Sequence, residues 1–360
     1  MSLLSSIRTS TPLPRLDSLS PQAAIPGGFF EVRGEHLVLQ TNDGPQMPLA
    51  FFGQLAASLD MVRPSRLLAR VPEGAISSDF TLRTSRDASN HGAASNALFA
   101  NIGVPMAENL HLISNPCVDR DGNLYAMVSG PRGERVPVSI YRIDRDLQIR
   151  PFVRDLLNIS ALALGPSGDL FASSRAEGTV YRITPEGAIS TFAEGMGVAT
   201  GLAFDREGNL FVGDRSGTIF KINSTGEIFV FATLEPSVAA YHLCFRDDGT
   251  LLVTAPTTTS NQSIFAIAPD GSTSTFFSGL GRPQGMALDV DGNLYVAAAL
   301  HGTRGIVRIT PSKQAELFIS GNDLVGLCFI EDGTVALATN NTLFYLDLGI
   351  EGRPLVGTGA

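Results

Sequence analysis

A turn signature recurs six times at near-regular spacing, and this repetition constrains the fold more than any other feature of the chain. It reads Asp121-Gly122-Asn123, Ser167-Gly168-Asp169, Glu207-Gly208-Asn209, Asp248-Gly249-Thr250, Asp291-Gly292-Asn293 and Asp332-Gly333-Thr334. The glycines are 46, 40, 41, 43 and 41 residues apart. Short apolar runs flank each turn, such as Gly201-Leu202-Ala203-Phe204 before one and Leu210-Phe211-Val212 after it. Two β-type runs joined by a short Gly-containing link predict a hairpin, because glycine supplies the positive φ the turn needs. A third run follows in each unit, often basic at its third position, as in Val180-Tyr181-Arg182-Ile183 and Ile219-Phe220-Lys221-Ile222. A fourth, such as Ile189-Ser190-Thr191-Phe192, closes most units. Four strands in about 40 residues is the length of one propeller blade. Six such units predict a six-bladed β-propeller over residues 105–360, with small apolar first strands crowding its axis. Its ring is expected to close either with a fourth strand near residues 353–357 or by borrowing residues 104–108.

The first hundred residues have a different grammar. Residues 1–14 are Ser/Thr/Pro-rich and read as a flexible leader without the apolar core of an intact signal peptide. Over residues 15–104, apolar runs are punctuated by Ser20-Pro21, Gly27-Gly28, Val32-Arg33-Gly34, Phe52-Gly53, Val71-Pro72-Glu73-Gly74 and Ser95-Asn96. Turn signals at this density between period-two strands predict a small β-sandwich. Their order resembles an IPT/TIG domain, an immunoglobulin-like fold. The whole chain is thus predicted all-β, an Ig-like β-sandwich followed by a six-bladed β-propeller.

At 360 residues, two domains are the natural expectation, and a 44% hydrophobic content is ample for two cores. The net charge of −9 offers no general attraction to phosphate backbones or anionic lipid, so nucleic acid is not an expected partner. No run approaches the roughly 18–20 apolar residues of a membrane span, so a soluble chain without membrane insertion is expected, in an undefined compartment. Three cysteines, Cys117, Cys244 and Cys328, share one position of the repeat and read as structural thiols. Asp119–Asn123 and Asp289–Asn293 look like half a calcium loop but lack its downstream Glu, and the repeat already explains them as turns. The five histidines, at 36, 91, 111, 242 and 301, have no metal-ligand spacing.

The wording of residues 201–212 and 285–296, Gly-Leu-Ala-Phe-Asp-x-Glu-Gly-Asn-Leu-Phe-Val and Gly-Met-Ala-Leu-Asp-x-Asp-Gly-Asn-Leu-Tyr-Val, resembles the NHL-repeat and gluconolactonase-like (regucalcin-type) propellers. The resemblance covers about 250 residues. It implies a divalent cation, such as calcium, held by Glu, Asn and Asp side chains at the leading ends of several first strands. Here those positions carry Ser114, Ser160, Thr200, Tyr241, Gln284 and Val325. Against the family pattern, Ser114 stands where a Glu is expected, Thr200 where an Asn is, and Gln284 where an acid is.

A hard cation takes most of its affinity from carboxylates, and none lies in this ring. No metal or other cofactor is therefore expected, although Asp214 is able to supply one ligand. A metal-free site is expected instead at Arg175, Thr200, Asp214, Arg215, Tyr241, His242, Gln284 and His301, with adjacent arginines able to grip a carboxylate or a sugar acid. The bland alternative is that Asp214 pairs with Arg175 or Arg215 and closes the channel mouth. Two function classes follow. One is a non-catalytic binding or scaffold protein for a protein, peptide or carbohydrate ligand, with no catalytic residue assigned. The other is a gluconolactonase-like hydrolase or lyase with an altered site.

Overall fold

The computed structural model describes residues 12–41, 44–83, 94–131, 133–330 and 332–354. Among them every regular element is a strand. Most of the expected leader, His91 and residues 355–360 lie outside the described residues. The chain divides into two compact units, Met1–Val104 with Ile319–Gly321 and Pro105–Phe318 with Asn322–Ala360.

In the first unit, hydrogen-bonded neighbours run in the order Arg15–Ser20, Phe29–Glu35, Arg66–Arg70, Leu55–Arg63, Leu49–Phe52, Ser78–Arg83 and Leu98–Ile102. Period-two alternation decides which face is buried. In Phe29–Glu35, Phe30 and Val32 point into the core while Arg33 and Glu35 stay outside. Phe30, Phe52 and Phe80 stack through that core with centroids 5.8 and 5.0 Å apart, flanked by Leu67 and Leu82.

The second unit has a propeller-like arrangement of four-stranded sets. One set is Ile159–Leu164, Leu170–Ser174, Thr179–Ile183 and Ile189–Ala193, and the next is Ala199–Phe204, Leu210–Asp214, Thr218–Ile222 and Ile228–Thr233. First strands of successive sets touch one another around a ring, and Leu324–Phe329 returns to touch Cys117–Val118. The final set, Leu324–Phe329, Thr334–Thr339 and Leu343–Asp347, is completed by Val104–Ala107 on its outer side. Of the two closures the sequence allows, the borrowed strand is the one observed.

The repeated turn earns its wording through hydrogen bonds. Asp205 Oδ1 accepts from Asn209 N at 2.8 Å and Oδ2 from Asn209 Nδ2 at 2.7 Å, while Gly208 sits at φ 82°. Asp289 and Asn293 repeat this geometry, as do Asp119 and Asn123. These carboxylates accept from the amides of their own hairpins, the geometry the turn reading expects. The basic residue of the third strand reaches an acid of the turn from the neighbouring strand. Arg182 donates to Asp169 at 2.6 Å, and Lys221 lies 3.6 Å from Asp205.

Aromatics lock three of the sets to the one that follows. Phe211, on a second strand, packs edge-on against Phe231 of its own set and Phe245 of the following one, both at 4.9 Å. Phe171 does the same with Phe192 and Phe204, and Tyr295 with Phe318 and Phe329. Beyond Leu343–Asp347 the chain turns under the ring. Asp289 bridges to Gly352, Arg353 N donates to Leu288 O at 3.0 Å, and the Arg353 guanidinium reaches Phe245 O and Asp247.

Candidate functional site

Two cavities open in the second unit. One, on the side of the Asp-Gly turns, has a volume of about 900 Å³ and is lined by Asp205, Arg206, Lys221, Arg246, Asp247, Asp248 and Arg353, among others. Its charges answer one another: Arg206 and Arg353 both meet Asp247, at 2.6 and 2.8 Å, and Arg246 meets Asp248 at 3.4 Å. Cys117, Cys244 and Cys328 sit along its wall as free thiols. Burial pushes the Cys117 thiol up to about 12 and that of Cys244 to about 11, so neither is a thiolate at neutral pH.

The other cavity lies where first strands begin and second strands end, with a volume of about 970 Å³. A hydroxyl- and amide-rich wall, Thr257, Thr259, Ser260, Asn261 and Gln262, faces Arg282, Gln284, His301, Arg304 and Asp323. The Gln262 amide pins the first wall by donating to Thr257 O at 3.0 Å and to Thr259 O at 2.6 Å. Arg304 enters on the strand Thr303–Ile309 and donates to Arg282 O at 2.8 Å, to Gln284 Oε1 and to Leu324 O. Burial first, then the repulsion of Arg282, lowers its pKa to about 10, with Asp323 pulling the other way, so it stays a cation at neutral pH.

The eight residues singled out by sequence do not form one site. Only Gln284 and His301 line this cavity. Thr200 is buried and stitches neighbouring sets, donating to Gly213 O at 2.8 Å and accepting from Tyr241 N at 3.1 Å. Tyr241 is fully buried, with its hydroxyl on Glu235 O. Burial, with Asp214 and Glu235 nearby, pushes that phenol up to about 12. Asp214 is buried and accepts from Val198 N at 2.8 Å and from the Ser216 hydroxyl. Arg215 spends its guanidinium on Val238 O at 2.9 Å and Ser237 O at 3.4 Å, and Arg175 reaches Gly130 O at 3.2 Å. The expected arginine grip at 175 and 215 is thus replaced by two carbonyl-bound structural residues, and Asp214 is satisfied by backbone and hydroxyl donors.

His242 and Ser114 form a buried pair, Nδ1 and Oγ lying 3.3 Å apart. Burial first, then the Arg304 charge, pulls the imidazole down to about 4. A base that weak, walled away from both cavities, is a poor proton acceptor for Ser114, so the pair does not read as a nucleophile and its base. A divalent cation fits no better. The leading ring offers Ser114, Ser160, Thr200 and Gln284, whose oxygens already serve the packing. Among the described residues, no group of three or more His, Cys, Asp or Glu is placed to hold a metal. Also among them, no helix is long and apolar enough to cross a membrane.

Fold and cavity together define a propeller-like all-β protein with a polar, cationic pocket at one end of its ring. No protein-family model matches the chain, and no curated protein matches it in sequence. Solved structures do. A candidate gluconolactonase aligns at a TM-score of 0.57 and 16% identity, over 70% of this chain and 93% of its own. The calcium-binding protein regucalcin of Agrobacterium tumefaciens aligns at 0.56 and 15%, over 71% and 97%. An auxiliary nutrient-binding protein of Bacteroides thetaiotaomicron aligns at 0.55 and 13%, over 94% and 98%. At these identities the likeness is one of fold.

Proposed function

We propose that this chain is a non-catalytic binding protein, a six-bladed propeller carried with an IPT/TIG-type Ig-like domain, whose pocket takes a carbohydrate or a peptide. The observation that carries this reading is the commitment of the ring's polar atoms. Ser114, Thr200, Asp214 and Tyr241 are buried in structural hydrogen bonds, and they form no metal cradle among the described residues. What faces the 970 Å³ cavity is a set of hydroxyl, amide and cationic groups suited to holding a polar ligand. The near full-length likeness to a nutrient-binding protein supports the same reading.

Two measurements test it. EDTA-treated protein titrated with calcium, magnesium, manganese and zinc is expected to show no saturable rise in Tm. A site filled at 100 times its Kd would add about 2.7 kcal/mol and be plainly visible. A rise with one ion that disappears in Asp214→Ala would replace the binding reading with the metal-dependent hydrolase. The same protein on glycan and peptide arrays is expected to retain a ligand whose binding weakens in His301→Ala, a change at an exposed lining residue.

A further inference from the structure

The two cavities treat charge in opposite ways. In the cavity on the turn side, arginines and aspartates pair off. In the other, the charged lining is Arg282 and Arg304 against a single aspartate, Asp323, on a chain whose net charge is −9. Neither arginine has a carboxylate within ion-pair distance among the described residues. Arg304 is held by three carbonyl-type acceptors, none of them a carboxylate, so its charge has no ion-pair partner among the described residues. Arg282 differs in kind. It is exposed, and its guanidinium fork has no partner among the described residues while its carbonyl anchors Arg304.

The backbone around these charges is held in unusual shapes. Arg282, His301 and Asp323 all lie at positive φ, at 44°, 49° and 57°. Non-glycine residues persist there when their surroundings over-determine them, and such positions concentrate at ligand sites. An anion entering this cavity meets the charge of the anchored Arg304 and the exposed planar fork of Arg282, the arrangement suited to a carboxylate. Around the anion, Thr257, Thr259, Ser260 and Asn261 offer hydroxyls and amides, and the apolar lining is no larger than valine or proline. A ring bearing a hydroxyl on most carbons matches that wall, whereas a peptide's bulky apolar side chains find nothing to bury against.

We propose that the ligand is an acidic carbohydrate, a uronate-containing saccharide whose carboxylate seats on Arg282 above the Arg304 charge. This deepens the binding-protein reading and rests on it. The test is calorimetric titration of the full chain, wild type and Arg282→Gln, with oligogalacturonate, oligoglucuronate and oligomannuronate. Each is run beside its carboxyl-reduced neutral counterpart, and a free-carboxylate peptide completes the set. An acidic saccharide is expected to bind at least about tenfold more tightly than its reduced form, to lose about tenfold in Arg282→Gln, and to recover partly in Arg282→Lys. Its affinity is expected to fall as salt rises. An unchanged Tm in Arg282→Gln shows that lost binding is not lost folding. Equal affinity for acid and reduced forms, or no effect of Arg282→Gln, overturns the acidic assignment and leaves a carbohydrate-binding protein. Binding of the peptide alone also overturns it, while leaving a binding protein. Binding of none of the probes overturns the acidic-carbohydrate proposal outright; the array result then decides the broader reading.

Discussion

His242 carries a pH dependence that its neighbours make inevitable. It is buried against Ser114 and within reach of the Arg304 field, and both burial and that field keep it neutral down to about pH 4. The unfolded chain takes up the proton near pH 6.5, so stability is complete above that value and is lost as pH falls toward 4. Urea unfolding between pH 6 and 5 is expected to lose about 1.4 kcal/mol per pH unit, and His242→Gln to flatten that slope. The same scale shows what sequence could and could not reveal about the site. Arg175 and Arg215 stood at aligned positions after second strands and drew the eye, yet each ends on a main-chain carbonyl. Arg304 was hidden because the apolar third-strand run is Ile306-Val307-Arg308-Ile309, whereas the strand begins at Thr303 and brings its second residue to the cavity. Arg282 was hidden because nothing in the letters preceding Pro283 announces a left-handed backbone.

Turn chemistry and repeat length were legible because each depends on neighbours in sequence. The aspartate-glycine-asparagine turn is a local hydrogen-bond device, and its letters say so. The aromatic that follows the turn is a different case, since its purpose lies in another set. Phe211 joins Phe231 and Phe245, one in its own set and one in the next, so its loss opens a hole that neither side fills. Phe211→Ala is expected to destabilise the fold by about 3–5 kcal/mol in chemical denaturation. A double-mutant cycle with Phe245→Ala should show a coupling of about 0.5–1.5 kcal/mol, whereas a cycle with the distant Phe171→Ala should be additive.

At the scale of the whole molecule, the periodicity read from the sequence predicts a ring and leaves two ways of closing it. Two segments outside the repeat fasten it. The turn under the ring places the Arg353 side chain against Phe245 and Asp247 and its main-chain N against Leu288, so one residue ties together two sets other than the one it follows. Arg353→Ala is expected to cost about 1–3 kcal/mol, read as a lowered urea midpoint. The second fastening is Val104–Ala107, laid beside Leu343–Asp347. These partners are about 240 residues apart, and bringing them together costs on the order of 5 kcal/mol of chain entropy. A ribosome adding about 5–20 residues each second needs on the order of ten seconds or more between making the first of these strands and making the last. Throughout that interval Val104–Ala107 waits with its backbone unmatched, so the nascent chain is open to mispairing until Leu343–Asp347 has been made.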